Sequence, residues 1–230
     1  MKNYAFTIVF FALAVAFDST CIASDEFSVY HEMKLEGWVV FVEQKLVDNN
    51  DPRVYPALEI LSERLQEAKQ VIPEKYLQQL QKVPLWLSEN TGSLAEYYFF
   101  QDSVYRFERN PKKMGGIEFQ NIDLFLLAKD KYPMVVIHEL AHAYHKMNYE
   151  RLDKDIMSAF ENARWEKLYE DLRLGRSLHT EDMYASTSPF EYFAELSAAY
   201  FGYNDSFPHD AAELEKHDPV GYTMVKKAWE

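Results

Sequence analysis

The sequence predicts an α+β protein: a small mixed β-sheet with helices in a first lobe, 24–132, and a helical second lobe, 133–230. Three observations carry this. Runs dense in β-formers alternate at period two before residue 45, apolar residues recur at helical spacing over 56–71, and helical patterning takes over almost completely after residue 133. With 7 Gly and 9 Pro in 230 residues, no linker-like composition separates the lobes, so they read as one domain, 24–230.

The first segment reads as an address. Lys2 precedes an apolar run over 5–17, and Cys21-Ile22-Ala23 places small side chains where cleavage after Ala23 would need them, so 1–23 is expected to be a signal peptide and the protein secreted or periplasmic. The run is too short for an ordinary membrane span, and no stable membrane insertion is expected once it is removed. Cys21 is the only cysteine, so the mature chain would have no disulfide, zinc-thiolate site or cysteine nucleophile.

Beyond the address, Phe27, Val29, His31, Met33 and Leu35 alternate on one side of a strand. Glu36-Gly37 then introduces a second strand at Trp38-Val39-Val40-Phe41-Val42. Leu58, Leu61, Leu65 and Ala68 define the buried stripe of a helix, and Pro73 opens another helix through Gln81. Short strands are expected at 84–87 and 97–100. Gly115-Gly116 introduces Ile117-Glu118-Phe119, which is expected to be an edge strand able to accept an extended peptide. Helices are expected over 133–148, 155–172 and 189–201, with shorter pieces over 210–229.

Charge narrows the partners. A formal net charge of −13 repels phosphate backbones and anionic lipid, so nucleic acid is not an expected partner. No glycine-rich phosphate cradle is present, and aromatic residues at 16% place the acidity on the surface of a folded body.

The chemistry concentrates in Val136-Ile137-His138-Glu139-Leu140-Ala141-His142, an H-E-x-x-H pattern inside an apolar helical stretch. At ~100° per residue, His138 and His142 lie about 40° apart around the axis and one turn apart along it, so both imidazoles can meet one ion. Glu139 projects beside them, within reach of a water bound to that ion. A catalytic zinc site needs a third protein ligand and an open position. His145 and Asn148 stand where the metzincin pattern has glycine and histidine, which excludes that class. His145 is itself a weak third-ligand candidate, because three ligands on one straight helix converge poorly.

A stronger candidate lies in Ser188-Pro189-Phe190-Glu191-Tyr192-Phe193-Ala194-Glu195. Glu191 and Glu195 share one helical face among apolar neighbours, so one carboxylate can bind a cation while the other holds a ligand histidine. The same residues also spell a capping box, with Ser188 at N-cap and Glu191 reaching back.

With Tyr184 seven residues before Glu191, this order of motifs resembles the gluzincin metalloendopeptidases of the anthrax lethal factor and Pro-Pro endopeptidase type. The stretch from about Asn110 to Tyr200-Phe201-Gly202 also resembles a group of uncharacterised secreted bacterial proteins. The resemblance implies a zincin-like fold and Zn2+ held by His138, His142 and Glu191. It further implies Glu139 as general base, Tyr184 as the phenol that steadies the oxyanion, Glu195 as a more loosely matched acidic partner of the ligands, and a peptide or protein as substrate. The alternative reading is a zinc-binding pseudo-peptidase or a non-catalytic metal-dependent binding protein.

Overall fold

The computed structural model describes residues 29–90, 92–99, 110–169 and 184–230. Segment 1–23, expected to be a signal peptide, lies outside the described residues. Strands β1 (Tyr30–Leu35) and β2 (Trp38–Glu43) form a hairpin with register Leu35↔Trp38. Its two-residue turn is Glu36-Gly37, and both turn residues have positive φ, 53° and 102°. That is the twist-compatible turn geometry that glycine tolerates and glutamate does not favour. Glu36 is tethered there because its carboxylate accepts from Lys69, Ser62 and Gln66 of helix α2.

Helix α1 (Gln44–Asp48) leads to α2 (Val54–Val71) and α3 (Glu74–Leu80). The expected stripe on α2 is realised, with Leu58, Leu61, Leu65 and Ala68 all at 3% exposure or less. Each such leucine contributes roughly 1.5–3 kcal/mol by leaving water. Next come β3 (Leu85–Leu87), β4 (Glu96–Tyr97), a 3-10 turn (Pro111–Lys113), β5 (Ile117–Phe119) and α4 (Ile122–Leu127). The sheet order is β1-β2-β3-β5-β4, with β2, β3 and β5 parallel and β1 and β4 antiparallel to their neighbours.

This order overturns one expectation. Ile117-Glu118-Phe119 is an interior strand, paired with β3 on one side and β4 on the other, and the terminal strand is β4. Ile117 and Phe119 are fully buried on the inner face, while Glu118 on the opposite face is also fully buried and accepts from Lys113 Nζ at 2.5 Å and Asn90 Nδ2 at 3.0 Å. Glu118 thus forms an internal ion pair with Lys113.

The second lobe consists of α5 (Val135–Met147), α6 (Tyr149–Trp165), the short α7 (Tyr184–Thr187), α8 (Pro189–Phe201), α9 (Ala211–His217) and α10 (Pro219–Trp229). Helix α5 begins two residues after Pro133. It runs between β4, α2 and α3 on one side and α8 on the other. All of Val136–His145 is buried, so this helix is a central beam whose every face meets protein. Its far end is gripped by α10, where Tyr144 stacks on Trp229 at 3.9 Å and donates its phenol to Ala228 O at 2.7 Å. The buried apolar side chains form one continuous core from Met33 to Trp229. Among the described residues, no helix is long and apolar enough to cross a membrane.

Candidate metal centre

Helices α5 and α8 bring the centre together. One turn of α5 brings the rings of His138 and His142 together edge to face, with their Nε2 atoms 3.1 Å apart. From α8, Glu191 Oε2 stands 3.2 Å from each of these nitrogens. The three donor atoms therefore form a nearly equilateral triangle. Zinc ligands at about 2.0–2.1 Å in tetrahedral array are spaced about 3.3 Å apart, so the donor set fits one zinc-sized ion in both chemistry and spacing. Among the described residues, this is the one cluster of three potential metal donors.

Glu191 also resolves the two readings of its helix start. Ser188 is the N-cap, and its Oγ accepts from the Glu191 backbone N–H at 3.2 Å. The glutamate side chain is turned away from the cap toward the histidines, so the half of the box that uses the serine is present together with a histidine-facing carboxylate. Glu195, one turn on, places Oε1 at 3.0 Å from His138 Nδ1. A carboxylate at Nδ1 favours a proton on that nitrogen, the state in which Nε2 would be able to serve a cation.

Burial and the histidine–carboxylate contacts set the electrostatics of the cluster. Burial works against charge on His138, but its contacts with Glu191 and Glu195 outweigh it and hold its proton affinity well above the ordinary imidazole value. Burial likewise raises the Glu191 and Glu195 carboxyls, yet their histidine contacts prevail and keep both well inside the ionised range. Glu139 differs. Desolvation dominates and pushes its carboxyl upward, and its Oε2 is buried without a hydrogen-bond partner. A carboxyl of raised proton affinity beside the two histidines can take and return a proton.

His145 is not brought to the centre. It is fully buried and packs against Phe190 at 4.9 Å and Phe193 at 5.5 Å, with neither ring nitrogen hydrogen-bonded. It belongs to the core between α5 and α8. The backbone of Tyr184 opens α7, one turn before Ser188, but its side chain lies outside the described residues.

Two cavities meet at His138 and Glu139. One, of about 530 Å3, runs past Ala95, Leu124, Leu127, Met134 and Val135 to Glu195 and Asn204. Leu127, on this lining, is 77% exposed. The other, of about 300 Å3, is lined by Glu96, Tyr97, Phe99, His142, Phe190 and Glu191. The segment Ser93–Phe99, which contains β4, borders both. Sequence reading expected a strand at 97–100 but gave this segment no role at the site, and it did not single out the apolar cavity or Asn204. The segment carries no chemical motif, and Leu124 and Leu127 look like ordinary helix core until α4 leaves them at a cleft.

No protein-family model, curated protein or solved structure matches this chain.

Proposed function

We propose that the protein is an extracytoplasmic zinc-dependent endopeptidase with a zincin-like arrangement of sheet and active-site helix. The observation that carries this reading is the triangle of His138 Nε2, His142 Nε2 and Glu191 Oε2, set beside the unpartnered buried carboxylate of Glu139 where two cavities join. A structural metal site would be closed on all sides. Here the donors face space large enough for a ligand.

The chemistry that zinc supplies in such a site is acidification of a water toward neutral pH and polarisation of the scissile carbonyl. The remaining steps fall to the chain's own residues. Glu139 takes the proton of the attacking water at its free Oε2 and returns it to the leaving amine. Glu195 keeps His138 in the tautomer that presents Nε2, and Tyr184 is assigned to hydrogen-bond the developing oxyanion. β4 aligns an extended peptide along the two cavities, with an apolar side chain entering the Leu124–Val135 side.

Purified mature protein should carry one zinc per chain by elemental analysis and cleave members of a broad peptide library. Cleavage should stop on chelation and return with zinc. Stoichiometric zinc without cleavage of any peptide would favour a metal-dependent binding protein instead.

A further inference from the structure

Glu195 is held at both ends of its carboxylate. Oε1 meets His138 Nδ1 at 3.0 Å, and Oε2 accepts from Asn204 Nδ2 at 2.8 Å. Asn204 lies beyond the end of α8, is only 4% exposed, and has its own backbone clamped. Its N–H donates to His209 O at 2.7 Å, while His209 Nδ1 donates to Asn204 O at 3.0 Å. His209 is tied in turn to α9, its backbone N–H donating to Glu213 Oε2 at 2.9 Å. The amide of Asn204 thus reaches Glu195 from an anchored loop. The carboxylate dictates which amide atom faces it, since Oδ1 in that place would set acceptor against acceptor. Asn204, with Asp205 and Ser206, also walls the larger cavity, so the chain of contacts runs unbroken from cavity wall to metal-facing nitrogen.

We infer that Asn204 is a positioning residue of the metal centre, acting through Glu195 to hold His138 with its Nε2 directed at the ion. This rests on the metal-site reading above. The physical reason is rotational freedom. A glutamate has three side-chain torsions, and one hydrogen bond to an imidazole does not determine them. A second, fixed donor on the other oxygen leaves one orientation, in which Oε1 serves the histidine and neither oxygen swings toward the ion as a competing ligand. An acid at 204 would place one carboxylate against another and lose the donor.

The test is a double-mutant cycle on zinc affinity, measured by competition with a chromogenic chelator, together with the visible spectrum of the cobalt-substituted protein. Asn204→Ala should weaken zinc binding about 10- to 100-fold, the range typical of groups that orient a ligand. It should also shift the cobalt bands, while the thermal midpoint of the metal-free protein stays close to wild type. Asn204→Asp, which preserves shape, should weaken binding at least as much and guards against packing loss in the alanine variant. In a Glu195→Gln background, Asn204→Ala should add little. Wild-type affinity and spectrum in both Asn204 variants would overturn the inference, as would losses that simply add to those of Glu195→Gln. Failure of the wild type to bind zinc would overturn the metal-site reading itself, and this inference with it.

Discussion

Ser188 Oγ accepts the backbone N–H of Glu191 at 3.2 Å, and this contact leaves the Glu191 carboxylate free to face His138 and His142 across the helix pair. Capping and the proposed metal binding therefore draw on different atoms of one residue and should separate under mutation. Glu191→Ala keeps the serine cap and should cost well under ~1 kcal/mol of stability in the metal-free protein, yet lose more than the roughly 10–100-fold in zinc affinity typical of an outer partner. Ser188→Ala should show the reverse, about 1 kcal/mol of stability with a far smaller change in zinc affinity. Denaturant titration with chelator present, paired with zinc competition, measures both.

Glu139 is not one of the three converging donors, and its Oε2 is unpartnered. Glu139→Gln should keep zinc at one per chain and lower kcat about 10²–10⁴-fold, the usual worth of a positioned base. Tyr184→Phe should likewise keep zinc and lower kcat about 10²-fold with little change in KM, as for loss of an oxyanion donor. Loss of metal from Glu139→Gln would reassign that residue as a ligand.

The identity of the terminal strand decides where proline is informative. Tyr98 donates its backbone N–H inward to Gly116 O at 3.0 Å, so by strand alternation the N–H groups of Tyr97 and Ala95 face the cleft side. Ala95→Pro should raise KM about tenfold or more while zinc content and unfolding midpoint hold. Ile117→Pro should instead unfold the protein, because Ile117 N–H donates to Pro84 O at 3.0 Å inside the sheet. Unchanged peptide kinetics in a folded Ala95→Pro variant would place the substrate elsewhere.

His145 gives the fold an acid-sensitive point. Burial, only partly opposed by Asp153 at 3.7 Å, lowers its pKa from 6.5 to about 4. The unfolded chain therefore takes up this proton first, so stability is intact above pH 6.5 and declines as pH falls toward 4, by at most roughly 3 kcal/mol from this group. His145→Leu removes two buried nitrogens without hydrogen-bond partners and should flatten that part of the profile. The difference between wild type and variant, measured by urea unfolding of metal-free protein at pH 7 and pH 4.5, isolates the effect.

Much of this protein is determined by spacing alone. Helical periodicity over 56–71 and 189–201, the alternation that forms the first hairpin, and the pairing of His138 with His142 all follow from local geometry, because a helix or strand places residues at fixed intervals along its own axis. Glu191 could be proposed from sequence as either cap or ligand, since both uses share one helical position. What tertiary structure decided is everything that depends on which elements become neighbours. Ile117–Phe119 lies inside the sheet because β4 returns to pair with it, against the edge reading of its glycine pair. His145 shares a helix face with the motif histidines, yet packing against Phe190 and Phe193 turns it into core. Asn204 meets Glu195 only because the loop after α8 folds back and is pinned by His209. Contacts between residues on separate elements carry no period in the chain, and their formation depends on the burial of the whole core.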